Sequence, residues 1–168
     1  MPDLIAPTTR LHSAWLDAHA EWGPGLHEDG FGLAPTDEVD SPAGFAAWVA
    51  RLTAESDRAT CRWIVEDGRV LGGIALRHRW DDHVRWAGHV GFGVRPTARR
   101  RGVAGWALGR ILVDARRVGL DRVLVVCATG NTASAKTIER LGGVFEEVRD
   151  TQYGPVRRYW IELARPGG

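Results

Sequence analysis

The stretch that most constrains the fold of this chain runs from position 94 to 104 and reads VRPTARRRGVA. An apolar strand leads into it from His89, and Pro96 ends that strand because proline has no N–H to donate to a sheet. Three arginines and Gly102 follow, and small residues then begin a helix. The first turn of a helix carries unpaired N–H groups, so this strand, basic turn and helix together predict a site for a phosphate-bearing anion.

Length and composition predict a single domain over 1–168 with ordinary globular character. The chain is 44% hydrophobic and 26% charged, which suffices for a sizeable core. Its formal net charge is +1, so the arginines are a local feature and no nucleic-acid partner is expected. The two cysteines form neither a disulfide framework nor a metal cluster, and we find no signal peptide or membrane-spanning run. We therefore expect a cytoplasmic protein with no metal and no membrane contact.

The hydrophobic pattern predicts four helices and seven strands. The helices are expected over about 9–22, 42–56, 102–118 and 131–141, and the strands over 3–6, 61–66, 70–79, 86–95, 122–128, 144–151 and 156–163. The Asp67-Gly68 pair between two apolar runs predicts a β-hairpin. A dinucleotide-binding fold is disfavoured, because it needs regular strand–helix alternation and a glycine-rich turn after a strand.

A long loop is predicted over about 23–42, and such loops are often functional. It is rich in acidic residues, and a second loop from Trp80 to Arg85 holds two more. These acids either attract a cationic amine or form a solvated surface. They are Glu28, Asp29, Asp37, Glu38, Asp40, Asp81 and Asp82.

The sequence resembles the GNAT acyltransferase superfamily at several segments. Arg99-x-x-Gly102-x-Ala104 after a strand is similar to the acyl-CoA signature R/Q-x-x-G-x-G/A of that superfamily. A closer resemblance is to an uncharacterised bacterial subgroup. Its segments here are LRH at 76–78, GHVGFGVRP at 88–96, an NxxS segment at 131–134 followed by paired glycines, and RYWIEL at 158–163. The resemblance covers essentially the whole chain and implies a GNAT fold of class α/β (α+β), with a central, mixed, strongly twisted sheet of about seven strands flanked by about four helices.

The resemblance implies an N-acetyltransferase that moves an acetyl group from acetyl-CoA to a primary amine of a small molecule by direct attack in a ternary complex. In this reading the basic turn holds the CoA diphosphate, and the preceding strand, with Gly91 and Gly93 on one face, holds the pantetheine arm. The glycines alternatively mark a bulge or tight packing. The implied cofactor-binding residues are Phe92, Gly93, Val94, Arg99, Arg100, Arg101, Gly102, Val103, Ala104, Asn131, Ser134 and Lys136.

The sequence offers several candidates for the general base and for the acceptor side of the site. His89 is our candidate base, because it shares the glycine face and a histidine titrates near physiological pH. Glu21 and His78 are weaker candidates on the acceptor side, and Trp22 and Trp80 are candidate walls of the acceptor pocket. For each of these five residues a structural role is the alternative.

The usual general acid is missing from the pattern. Many GNAT enzymes have a tyrosine seven residues after the asparagine, and this chain has Ile138 there. The acid is then water or another group such as Ser134 or Tyr153, or the reaction needs no strong acid. Two other functions stay open: a catalytically silent acyl-CoA sensor or subunit, and an acetyltransferase of a protein or aminoacyl-tRNA amine. The chain is equally compatible with a monomer and a homodimer.

Overall fold

The computed structural model describes residues 1–23 and 30–163, which form one mixed sheet with helices on both faces. The strands are β1 (Asp3–Ile5), β2 (Ala59–Glu66), β3 (Arg69–Arg77), β4 (Val90–Val94), β5 (Arg122–Ala128), β6 (Val144–Thr151) and β7 (Gly154–Glu162). The α-helices are α1 (His12–Trp22), α2 (Pro42–Ala54), α3 (Asp82–Ala87), α4 (Val103–Arg117) and α5 (Thr132–Arg140), and short 3-10 helices lie at Thr9–Leu11 and Pro96–Ala98.

The sheet has the strand order β1-β2-β3-β4-β5-β7-β6. All neighbouring strands are antiparallel except β4 and β5, which are parallel. A single registered pair, Val90 with Val125, joins those two strands, whereas β4 stays paired with β3 as far as Val94 opposite Gly72. The sheet therefore opens between β4 and β5 beyond Val90. A mixed seven-stranded sheet with flanking helices confirms the predicted fold class.

Two hydrophobic cores lie on opposite faces of the sheet. Helices α4 and α5 cover one face, where Leu108 and Ile111 pack against buried strand residues such as Val125. Helices α1 and α2 cover the other face with large aromatic side chains, and the ring centroids of Trp15 and Trp48 are 4.8 Å apart. Side chains on opposite sides of one strand thus belong to different cores, as the alternation of side chains along a strand requires.

The hairpin predicted at Asp67-Gly68 is confirmed. Glu66 pairs with Arg69 across the turn, and the φ angles of Asp67 and Gly68 are 53° and 75°. Positive φ at both central residues is the geometry of the type I′ turn, which suits Asp-Gly.

The prediction for residues 80–95 is partly wrong. The sequence pattern predicted a loop to Arg85 and a strand from Trp86, but residues 82–87 form α3 and β4 begins only at Val90. Asp81 begins the helix because its Oδ1 accepts a hydrogen bond from Val84 N at 2.9 Å. Gly88 ends it with a φ of 84°, and Gly88 N donates to Val84 O. Within the described ranges, no helix is long and apolar enough to cross a membrane.

Candidate functional site

A cleft of about 1150 Å³ lies where β4 separates from β5. Its walls are the end of β4, the turn before α4, the first turn of α4 and one face of α5. Pockets for drug-sized ligands usually measure about 300–1,000 Å³. This cleft therefore has room for a ligand larger than a typical drug molecule.

Eleven of the twelve sequence-predicted cofactor residues line this one cleft, although they come from two separate parts of the chain. They are Phe92, Gly93, Val94, Arg99, Arg100, Gly102, Val103, Ala104, Asn131, Ser134 and Lys136. The parallel β4–β5 arrangement explains the juxtaposition, because the segments that follow two parallel strands leave the sheet at the same edge.

The twelfth residue, Arg101, does not line the cleft. Its Nη2 donates to Glu66 Oε1 at 2.6 Å, across the surface from the end of β2. The hydrogen bond from the Arg101 guanidinium lowers the pKa of the Glu66 carboxyl. Three consecutive arginines cannot all point the same way from a turn, and sequence alone did not reveal that Arg101 has a partner 35 residues away.

The turn before α4 is shaped for an anion. Arg99 Nε donates to Val94 O at 2.8 Å, which folds the turn back on the strand. Arg100 and Gly102 have φ angles of 64° and 74°. Among the described residues no side chain caps α4, whose first residues line the cleft. The N–H groups of its first turn are therefore directed at whatever occupies the cleft.

The backbone of β4 also faces the cleft. Arg77 N donates to His89 O and Arg95 N donates to Leu71 O, so the odd-numbered residues of β4 bond to β3. Backbone groups alternate in direction along an antiparallel strand. The N–H groups of Phe92 and Val94 therefore point toward β5, on the side where the sheet is open.

Helix α5 provides the opposite wall. Asn131 Oδ1 accepts a hydrogen bond from Ser134 N at 3.1 Å and so caps the helix, at the residue where the sequence pattern predicted the helix to begin. Sequence reasoning missed Arg140, which lines the cleft together with Lys136. The available signal was spacing, because residues four apart in a helix share a face.

The cleft is electropositive. Of the residues that the structure describes, four cations line it, namely Arg99, Arg100, Lys136 and Arg140, and no carboxylate does. Over residues 1–23 and 30–163, none of the four forms an ion pair. Cations without carboxylate partners in a concave site attract an anionic ligand.

Trp22 links the cleft to the other face of the sheet. This last residue of α1 packs edge-on against Phe31 at 5.6 Å, on the side of the sheet covered by α1 and α2. It nevertheless lines the same cleft as Arg99 and Asn131. The opening between β4 and β5 therefore reaches from one face of the sheet toward the other, and Trp22 lies beside it.

Glu21 has a structural role. Its Oε1 accepts from Arg95 Nη2 at 3.0 Å and its Oε2 accepts from Thr97 N at 2.9 Å. The hydrogen bond from Arg95 is the main cause that lowers the pKa of Glu21 to about 2. A carboxylate held so firmly ionised is a poor proton acceptor at neutral pH, so the geometry does not support Glu21 as a base.

His89 lies in the core and not in the cleft. It is 3% exposed, and its Nδ1 accepts a hydrogen bond from Leu124 N at 2.9 Å. Burial is the main cause that lowers its pKa to about 4. A neutral ring that accepts at Nδ1 carries its proton on Nε2, so no lone pair remains for a substrate proton. The geometry does not support His89 as the base.

His78 and Trp80 also lie outside the cleft lining. The two ring nitrogens of His78 contact Thr60 Oγ1 at 2.7 Å and Asp57 O at 3.1 Å, which makes its role structural. Trp80 is 46% exposed and stacks on Trp160 with ring centroids 5.7 Å apart. These contacts join the segment before α3 to β2 and β7.

The side chains available as a general acid are few. Ile138 is fully buried, so the usual tyrosine position faces the core. Ser134 lines the cleft, whereas Tyr153 is 66% exposed and lies beside Trp86. Of the cleft side chains, Ser134 is therefore the predicted alternative that the geometry favours.

Three of the acidic loop residues stabilise the fold. Asp37 accepts from Arg51 at 2.6 Å, Glu38 accepts from Ser41 Oγ at 2.5 Å, and Asp81 caps α3. Glu28 and Asp29 lie outside the described residues. No group of three His, Cys, Asp or Glu side chains in the described part of the chain is arranged to hold a metal ion.

Comparisons with known proteins identify relatives of this chain by family model and by fold. A family model described as an acetyltransferase (GNAT) domain matches residues 31–144. Curated protein sequences give no match. Similar solved structures include a putative acetyltransferase from Salmonella typhimurium with acetyl-CoA (TM-score 0.65, 17% identity, covering 99% of this chain and 96% of that one).

Two further structures share the fold. One is an acetyltransferase from Salmonella typhimurium that modifies the N-terminal serine of a 50S ribosomal subunit protein (TM-score 0.72, 16% identity, 97% and 95% covered). The other is the microcin C7 self-immunity acetyltransferase in complex with acetyl-CoA and AMP (TM-score 0.71, 14% identity, 96% and 92% covered). At these identities the likeness establishes a common fold.

Proposed function

The chain belongs to the GNAT acetyltransferase family, and from that premise we propose that it transfers an acetyl group from acetyl-CoA to a primary amine of a small molecule. The observation that carries the proposal is the cleft between β4 and β5, which brings together a helix N-terminus, four cations and an open strand edge. Acetyl-CoA supplies an activated thioester carbonyl and carries several phosphate groups. The cations of the cleft match the phosphate groups, and its open strand edge matches the part of the ligand that carries the thioester.

The basic turn is our site for the diphosphate. The α4 N-terminus offers backbone N–H groups, and Arg99 and Arg100 add charge-assisted donors. Gly102, with its left-handed backbone and no atom within 4 Å of a Cβ placed there, lets a phosphate come close to the chain.

The open edge of β4 is our site for the pantetheine arm and the thioester. Amide groups of the arm can pair with the backbone of Phe92 and Val94 as a neighbouring strand would. A β4 N–H directed at the thioester oxygen stabilises the negative charge that develops there. Asn131 and Ser134 face this edge from the opposite wall.

Attack by the amine requires the loss of a proton, because an ammonium group has no lone pair. The nitrogen forms a bond to the acetyl carbon, the carbon–sulfur bond breaks, and the thiolate takes up a proton. Since His89 and Glu21 are committed to the fold, we propose that water removes the amine proton and that Ser134 or water protonates the sulfur. Trp22 then marks the face from which the acceptor approaches.

The direct test is release of free thiol from acetyl-CoA in the presence of a panel of amines. The panel contains polyamines, aminoglycosides, amino acids and a peptide with a free N-terminal serine, because one structural neighbour modifies such a group. Amine-dependent thiol release, lost in Arg99→Ala, supports the proposal. A protein that binds acetyl-CoA but turns over no amine is instead a sensor, an alternative supported by the lack of a histidine or carboxylate among the described residues that line the cleft. The two buried free thiols fit a reducing cytoplasm, which is our proposed location.

A further inference from the structure

The four cations of the cleft divide into two pairs on different elements. Arg99 and Arg100 belong to the turn before α4, and Lys136 and Arg140 lie one helical turn apart on α5. The two helices are in contact, since Gly105 of α4 faces Thr137 of α5. The cleft therefore has a basic pair on each side of this helix contact.

The α5 pair is unusual for this chain. The sequence contains twenty-one arginines and one lysine, and that lysine is Lys136. The neighbouring acid, Glu139, accepts a hydrogen bond from Tyr159 Oη at 2.9 Å and is not part of the cleft lining. Arg101, in contrast, is neutralised by Glu66. The charges of Lys136 and Arg140 are thus left for a ligand.

The charge of the cleft exceeds what a diphosphate requires. A diphosphate that links two organic groups carries two negative charges, which Arg99, Arg100 and the α4 N-terminus can balance. A phosphate monoester carries about 1.5 to 2 further negative charges near pH 7. CoA holds both groups, a diphosphate and a 3′-phosphate on its ribose, and two separate basic pairs match two separate anions.

We propose that Lys136 and Arg140 form a phosphomonoester subsite that binds the ribose 3′-phosphate and so selects CoA over dephospho-CoA. The proposal rests on the proposed function, because it assigns a second contact to the same acyl-CoA ligand. The α5 pair then determines which nucleotide thioester the protein accepts, while the basic turn supplies affinity for either.

The first experiment needs no variant. Calorimetric titration of the wild-type protein with CoA and with dephospho-CoA measures the affinity ratio between two ligands that differ only in the 3′-phosphate. We expect CoA to bind at least tenfold more tightly, as for one or two charge-assisted hydrogen bonds. Equal affinity for the two ligands overturns the subsite. Failure of both ligands to bind overturns the proposed function itself, so the two failures are distinguishable.

The second experiment places the selectivity on α5. The double variant Lys136→Met, Arg140→Met keeps the aliphatic stems and removes both charges. We expect it to weaken CoA about tenfold, to leave dephospho-CoA almost unchanged, and so to bring the ratio near one. Arg99→Ala is expected to weaken both ligands equally and keep the ratio. Arg117→Met is the matched control, because this arginine is 76% exposed at the far end of α4 and pairs with Asp114.

The result that overturns the assignment is a double variant that binds both ligands as tightly as the wild type does, or one that weakens CoA and dephospho-CoA by the same factor. The second outcome places the α5 charges at the diphosphate. The urea midpoint of each variant is measured alongside, and the single variants Lys136→Met and Arg140→Met replace the double variant if it unfolds.

Discussion

The arginine before Pro96 and the two arginines that line the cleft after it have opposite environments. Arg95 is 3% exposed, and its Nη2 lies 2.9 Å from Asp17 Oδ2 and 3.0 Å from Glu21 Oε1. Arg99 and Arg100 are exposed, line the cleft and have no acidic partner among the described residues. The guanidinium group is the same in both places, and only its partners differ.

The difference separates a fold contact from a binding contact. Burying a cation is costly unless carboxylates and hydrogen bonds compensate it, and Arg95 has both. It fastens α1 to the end of β4, directly before the basic turn. The cations of the cleft have solvent instead of a protein anion, so they are available to a ligand. The comparison predicts that removing the arginine before Pro96 reduces stability, whereas removing a cleft arginine after Pro96 reduces ligand affinity.

The largest effect is expected for Arg95→Ala. Removing the guanidinium leaves Asp17 and Glu21 with only Arg69, 4.0 Å from Glu21, as a nearby cation among the described residues, and it leaves Val70 O without the donor Arg95 Nη1. We expect the free energy of unfolding to fall by about 3 kcal/mol, near the lower end for a broken buried pair because Asp17 is well exposed. Urea denaturation measures it. Arg99→Ala is the matched control and should change stability by less than about 1 kcal/mol; equal losses in the two variants would contradict the comparison.

The pH dependence of stability in Glu21→Gln tests the same comparison. The pKa of Glu21 falls from its ordinary 4.5 to about 2 in the folded protein. Its contribution is therefore complete above pH 4.5 and disappears as the pH falls toward 2. At pH 7 we expect the variant to be less stable by about 2 kcal/mol, and the two stability curves to converge in acid. If the difference in stability between the wild type and the variant stays constant down to pH 2, its cause is steric and not electrostatic.

His89→Ala tests whether His89 belongs to the fold or to the chemistry. The variant leaves the buried Leu124 N–H without an acceptor, which costs about 1 to 2 kcal/mol. Because the folded pKa of His89 is about 4, its neutral ring stabilises the wild type above about pH 6.5, and this contribution is lost as the pH falls toward 4. Acetyl-CoA affinity should not change, and thiol release lost without any loss of stability would restore His89 as the base.

Local signals account for what the sequence predicted. The turn at 94–104, the Asp67-Gly68 hairpin and the start of α5 at Asn131 are each encoded within a few residues, and all three are present in the structure. The helix α3 was missed because six residues are too short for a periodic pattern, and its Asp81 cap was the only cue.

Long-range partners account for what the sequence did not predict. Arg95 and Arg101 find acids 74 and 35 residues away, and no pattern near either arginine indicates which of them is neutralised. The acceptor role of His89 likewise depends on a distant segment, because its donor, Leu124 N, belongs to β5. The roles of charged and titratable groups therefore depend on the packed sheet, whereas the helix and turn that position the cleft are local.

The most direct measurement of the central claim is calorimetric titration with acetyl-CoA of the wild type, Arg99→Ala, Gly102→Glu and the control Arg101→Ala. We expect micromolar binding by the wild type and by Arg101→Ala, whose cation already pairs with Glu66. Arg99→Ala should bind at least tenfold more weakly, and Gly102→Glu should not bind, since it puts a negative charge and a strained backbone at the helix N-terminus. A folded wild type that does not bind acetyl-CoA, or an Arg99→Ala variant that binds as tightly as the wild type, would contradict the account.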